Sequence, residues 1–251
     1  MVSLRWLVPA ALVGTGFACQ APTAPVEQAS ARRYESPVNL CELDDPAVVE
    51  SSGVAASPTR DGVWYTHNDR GDSARFFRFD EKGHVDAVFR LKGIAALDWE
   101  DMAAAVVDGR PYLYFADIGD NFRIRPTIRV VRVEEPEGEG RSLDRVESYD
   151  LKYPDGRHDA EAFFVRPDTG EMVVVTKTGN GPAGVYRART TGTGPTTMEK
   201  VGTVTLGGAL EPSRLVTGAD VTPDGRFVVL RTYLGAYEFA AGVGEAFHAW
   251  V

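Results

Sequence analysis

Short runs of β-branched and aromatic residues recur along the chain, each just after a tight-turn signal. Val63-Trp64-Tyr65-Thr66 follows Asp61-Gly62, and Tyr112-Leu113-Tyr114-Phe115 follows Asp108-Gly109. Met172-Val173-Val174-Val175 follows Asp168-Thr169-Gly170, and Phe227-Val228-Val229-Leu230 follows Asp224-Gly225. Asp-Gly supplies the positive φ angles that hairpin turns need. The runs are too short for helices and suit buried sheet. Before each turn lies another β-like run that opens on acidic or small polar residues: Glu50-Ser51-Ser52-Gly53-Val54-Ala55, Asp98-Trp99-Glu100-Asp101-Met102-Ala103, Asp159-Ala160-Glu161-Ala162-Phe163-Phe164 and Thr217-Gly218-Ala219-Asp220-Val221. A third run follows in every unit (Phe76-Phe77-Arg78-Phe79 in the first), and a fourth is visible in three.

Counted from the acid nearest each opening run (Glu50, Glu100, Glu161, Asp220), the unit repeats every fifty to sixty residues, roughly. Repeats of about this size signal blades or arrays. Four short antiparallel strands per unit, repeated radially, predict an all-β chain folded as a β-propeller. A β-sandwich also has many short strands at regular spacing, but gives no reason for an acid to recur in phase. The blades are expected to start near residues 50, 98, 159 and 217.

In a propeller the first strand of each blade lines the central channel and the second runs back beside it. That brings the start of one and the end of the other to the same face. Glu50 is then expected near His67, Asn68, Asp69 and Asp72; Glu100, with Asp98 and Asp101, near Asp117, Asp120 and Asn121. In the last two units the acid meets a base, Glu161 facing Lys177 and Asp220 facing Arg231 and Tyr233. Clustered carboxylates raise one another's pKa unless a cation neutralises them, and hard oxygen ligands suit Ca²⁺ or another divalent cation. The candidate ligands are Glu50, Asn68, Asp69, Glu100, Asp117, Asp120, Glu161 and Asp220, with His67 as a candidate base beside a metal-bound water. The competing reading is structural: Asp and Asn at strand ends bind turn backbone, and the acid–base pairs hold the channel together. His158 stands before the third acidic strand and is expected to be a loop histidine.

The full sequence has 251 residues and a net charge of −9, which argues against nucleic acid as a partner. Residues 1–18 have the pattern of an export signal: Arg5 is the lone charge, an apolar stretch follows, and small residues precede Cys19. Cys19 is placed as a lipidation site at the head of the mature chain, with simple secretion as the alternative. Membrane contact is expected only through that anchor. A Cys19–Cys41 disulfide is open to a secreted form. Residues 19–37 are expected to be a flexible tether, and residues 38–251 the propeller domain. No nucleophile elbow or Walker loop is present.

Taken in order, Ser52-Gly53-Val54, His67-Asn68-Asp69-Arg70-Gly71-Asp72, Asp98-Trp99-Glu100-Asp101, Asp117-Ile118-Gly119-Asp120-Asn121, Asp159-Ala160-Glu161-Ala162, Thr217-Gly218-Ala219-Asp220 and Arg231-Thr232-Tyr233 resemble a family of exported bacterial β-propeller proteins of unassigned activity. That family is similar, more distantly, to the esterase-like phytase and SMP-30/lactonase propellers. The acidic face itself points to a small ligand or divalent cation at the channel mouth, and the distant relatives imply a metal-dependent hydrolysis of phosphoesters or lactones. A protein-interaction platform with purely structural acids is the third reading. The family pattern also implies a further acidic strand, for which Gly244-Glu245-Ala246-Phe247 is the candidate, so the last blade is expected to be incomplete. The stretch from Val38 to Val49 is expected to pair with it.

Overall fold

The structure, a computed structural model, describes residues 38–189, 194–208 and 210–240. It is a β-propeller of four small sheets. Blade 1 is built from β1 (Ser51–Ala56), β2 (Val63–Asn68), β3 (Arg75–Asp80) and β4 (Val85–Leu91). Blade 2 contains β5 (Trp99–Val107), β6 (Arg110–Asp117) and β7 (Ile128–Glu134). The chain then forms a two-residue strand, β8 (Ser142–Leu143), before closing the blade with β9 (Glu147–Lys152). Blade 3 repeats the plan with β10 (Ala160–Val165), β11 (Met172–Thr176), β12 (Ala183–Ala188), the short β13 (Thr196–Thr197) and β14 (Glu199–Val204). Blade 4 has β15 (Val216–Val221), β16 (Phe227–Thr232) and β17 (Ala236–Ala240) among the described residues.

Neighbours within each blade are antiparallel and joined by the turns read from sequence. Asp108 and Gly109 both take positive φ, 52° and 75°, the pair of left-handed conformations that a two-residue hairpin requires. The two short strands have no counterpart in the sequence reading. Each leaves its own blade and pairs in parallel with the outer strand of the blade before: Ser142 and Leu143 lie against Arg90 and Leu91, and Thr196 and Thr197 against Leu151 and Lys152. They act as latches that cover the outer edge of β4 and of β9.

The core consists of three layers between successive blades. Tyr65, Phe76, Trp99 and Phe115 meet between blades 1 and 2; Tyr114, Phe163, Val174 and Tyr186 between blades 2 and 3; Phe164, Val175, Val228 and Leu230 between blades 3 and 4. β11 is covered on both faces and is buried throughout, which is why it reads as an unbroken apolar run. β16 alternates, burying Val228, Leu230 and Thr232.

Residues 38–50 form no strand and do not extend blade 4, contrary to expectation. Asp44 instead fastens this stretch to the β3–β4 turn of blade 1: its N–H donates to Gly83 O at 3.1 Å, and its carboxylate accepts from Val85 N at 2.8 Å and His84 Nδ1 at 2.7 Å. An extended segment needs a neighbour's free edge to become a strand, and the turn offers donors to the Asp44 side chain instead. The signal, Cys19, the tether and Gly244 to Phe247 lie outside the described residues. So does Cys19 of the expected Cys19–Cys41 pair; Cys41 is partly buried and makes no disulfide among the described residues.

Candidate functional site at the channel mouth

All four channel-lining strands carry a β-bulge at the same height. The register slips between Ser51 and Val54, Trp99 and Asp101, Ala160 and Ala162, and Val216 and Gly218. A bulge inserts one unpaired residue and re-aims its side chain. The residues at the slip are Ser52, Glu100, Glu161 and Thr217, and all four line one funnel of about 450 Å³, with Glu50, Asp69, Arg231 and Tyr233. The in-phase set is therefore Ser52, Glu100, Glu161 and Thr217. Glu50 and Asp220, which the sequence pattern put in phase, are displaced from it. The cause is the bulge: nearest-acid counting has no way to register an extra residue in a strand.

On one wall of the funnel three carboxylates converge. Oxygens of Asp69, Asp98 and Glu100 all lie within 4.8 Å of one another. Glu100 is 6% exposed, and among the described residues no hydrogen bond or ion pair reaches its carboxylate. Burial is the first cause pushing its pKa up to about 9, followed by the charges of Glu161, Asp69, Asp98 and Asp159. The Asp98 carboxyl is raised too, chiefly by burial, and Arg70, 3.7 Å away, opposes the shift. Gly119 makes the approach possible: a Cβ there would run into Glu100 Oε1 and Asp98 Oδ2. The loop from Asp117 to Asn121 thus lends its backbone, and its acids serve elsewhere.

Those acids hold loops. Asp117 accepts from Leu97 N (3.0 Å) and Asp98 N (3.1 Å) and pairs with Arg125 at 2.8 Å. Asp120 accepts from Ile124 N (2.9 Å) and Arg125 N (2.8 Å). Asn68 accepts from Val49 N and Glu50 N and donates to Ala47 O and Asp72 Oδ2. Every side-chain oxygen of the three already accepts a hydrogen bond. Glu161 forms the expected ion pair with Lys177, which also donates to Tyr233 Oη at 2.8 Å. The expected pairing of Asp220 with Arg231 is absent among the described residues. The bulge sets Asp220 opposite Val229, and Arg231 donates to Thr217 O at 2.8 Å. Glu50 sits exposed at the rim.

His67 lies beneath the funnel and is wholly buried. Its ring meets Trp99 edge-on at 5.3 Å, Nδ1–H donates to Asn68 O at 2.9 Å, and burial lowers its pKa. A neutral, enclosed imidazole has no route to a substrate on the face, so the role of base assigned to it finds no geometry here. Trp99 packs in the same layer, stacked on Phe115 at 4.9 Å.

Below the funnel Asp101 ties the blades together. Its carboxylate accepts from Met102 N at 2.9 Å in its own strand, Phe163 N in β10 at 2.9 Å and Ala219 N in β15 at 3.0 Å. Ser52 Oγ adds a bond to Glu100 O at 2.7 Å. The sequence reading placed Asp98 and Asp101 near Glu100 without separating their roles; Ser52 and Thr217 it did not name as site residues, for polar residues at a strand start carry no signal until the bulge is known, nor Arg70, which lies in the loop after β2.

No protein-family model matches the chain, and no curated protein matches it in sequence. Solved structures align with it at low identity. Hydrazine synthase of Kuenenia stuttgartiensis aligns at 11% identity over 76% of this chain and 58% of that one, with a TM-score of 0.41. A gluconolactonase of Xanthomonas campestris aligns at 15% over 71% and 55%, TM-score 0.41. The periplasmic gluconolactonase of Pseudomonas aeruginosa aligns at 13% over 68% and 47%, TM-score 0.41. The chain spans about half the length of these structures.

Proposed function

We propose that this chain is an exported propeller that binds a divalent cation, and through it a small ligand, at the mouth of its channel. The observation that carries this reading is the Asp69–Asp98–Glu100 triad, with Glu100 buried and unpartnered. Three carboxylates in such proximity repel. Without a cation Glu100 keeps a proton; a cation supplies the opposing charge and displaces it. An all-oxygen donor set favours Ca²⁺ or Mg²⁺ over softer metals. Export rests on residues 1–18, and anchoring on Cys19 as the lipid acceptor. The hydrolytic alternative draws no support from its candidate base, for His67 is enclosed.

Ca²⁺ titration of the chelated protein is expected to raise its melting temperature, with reversal by chelator and loss of the effect in Glu100→Gln. No shift with Ca²⁺, Mg²⁺ or Mn²⁺ sinks the cation reading. Cys19→Ala is expected to move the protein from the membrane to the soluble fraction of its host; unchanged fractionation removes the anchor from the proposal.

A further inference from the structure

A second cavity, of about 180 Å³, lies between the β6–β7 loop of blade 2 and the top of blade 3. In a chain of net charge −9 its walls gather Arg123, His158, Lys177 and Lys200, with Tyr186 between them. Of the nearby carboxylates Asp155 and Glu161 are engaged by cations, while Asp159, which lines the cavity, accepts a backbone N–H through Oδ1. Asp155 accepts from Lys200 Nζ at 2.7 Å, His158 Nε2 at 2.9 Å and Tyr186 Oη at 3.0 Å. Asp159 accepts from Asp120 N at 2.9 Å, and Glu161 holds Lys177. The cationic wall is thus set in place before anything enters.

Arg123 differs from the others. It is exposed, and among the described residues no ion pair or hydrogen bond reaches its guanidinium. Its backbone has φ of +54°, a conformation that costs a non-glycine residue energy and points to a local purpose when the surroundings enforce it. They do: Arg123 N donates to Asp120 O at 2.7 Å, while the Asp120 carboxylate fastens the next two N–H groups. The Asp120 turn therefore presents an uncommitted guanidinium at the cavity wall.

We propose that this cavity binds a small oxyanion, the phosphate or carboxylate group of a ligand, between Arg123 and the His158–Tyr186–Lys200 side. The free Arg123 guanidinium and the remaining N–H donors of Lys200 are matched to such a group, while the Tyr186 O–H, already given to Asp155, holds the Lys200 side in place. The volume lies below the ~300 Å³ where pockets for drug-sized ligands begin, so the anionic group enters and the rest of its carrier stays outside. The site is separate from the carboxylate triad: the Glu161–Lys177 pair stands between the cavity and the funnel.

The test is calorimetric titration of the full chain with inorganic phosphate, phenyl phosphate and acetate, at fixed ionic strength and with chelator present, so that no cation at the triad carries the anion. Saturable binding of at least one probe is expected. Phenyl phosphate binding alongside phosphate marks a site for a group on a larger molecule, and phosphate alone marks a free-ion site. Arg123→Asn, which tolerates the left-handed backbone, is expected to weaken binding about tenfold, and Lys200→Gln similarly. Absence of saturable binding with all three probes overturns the proposal, as does an affinity unchanged in both variants.

Discussion

Glu100 places its charge where the protein can least tolerate it, and that makes it a reporter. In the unfolded chain its carboxyl ionises near 4.5, while in the fold it holds its proton to about 9. Between those values the folded state binds the extra proton, so stability of the cation-free protein falls as pH rises across that window and levels off above it. Glu100→Gln is expected to make this decline shallower, the raised carboxyl of Asp101 keeping part of it, measured as denaturant midpoint against pH in chelator; an unchanged decline in the variant assigns the proton elsewhere. Cation binding is expected to release protons at neutral pH in weakly buffered solution, since the cation replaces the one on Glu100. Gly119 belongs to the same scale. A methyl group there has nowhere to go but into the triad, so Gly119→Ala is expected to weaken cation affinity at least tenfold while leaving the fold intact, read by calorimetry and circular dichroism.

The strands and their turns were legible in the sequence because local chemistry dictates them. Asp108-Gly109 and Asp224-Gly225 announce hairpins, and apolar runs such as Met172 to Val175 announce burial on both faces. The bulges and latches were not legible, for they depend on a partner strand. Nothing in Trp99-Glu100-Asp101 says that Glu100 is the residue without a partner, and nothing in Ser142-Leu143 says that it belongs to another blade. The latch β8 is expected to control the edge it covers: Arg90 N donates to Arg141 O and Lys92 N to Leu143 O, both at 3.0 Å. Shortening the β7–β9 connection to remove β8 is expected to raise hydrogen-exchange rates at Arg90 and Lys92 by at least tenfold, with the inner strand β2 unaffected. Equal protection at both amides after the deletion shows that the latch contributes nothing.

Across the whole molecule, the four-unit rhythm gave the architecture and the correct face for the acids. It did not separate the side chains within that face: Asp117, Asp120 and Asn68 brace loops, Asp101 binds strand backbone, and among the described residues Asp69, Asp98 and Glu100 converge. A carboxylate's duty is set by which N–H groups lie within reach, and those belong to other blades. Asp101 is the clearest instance, since one side chain joins β5, β10 and β15. Burial pushes its pKa up to about 8, against the pull of those three N–H donors. Asp101→Ala leaves the N–H groups of Phe163 and Ala219 without acceptors and is expected to cost on the order of 3 kcal/mol, with Asp101→Asn, which keeps a carbonyl oxygen, costing less. Denaturant unfolding of the two variants measures the difference, and equal losses would show that the bonds across blades are dispensable.

The bulges carry a consequence for variation. A residue outside the ladder has no place in the backbone register, so its identity is less tightly coupled to strand pairing than that of its neighbours. Positions 52, 100, 161 and 217 are therefore expected to accept substitution with the register kept, at the loss of the Ser52–Glu100 bond and the Glu161–Lys177 pair. The channel mouth is in that sense a four-letter word spelled on a fixed page, here Ser, Glu, Glu, Thr, and a library randomised at those letters alone would sample new ligand chemistries on one unchanged propeller.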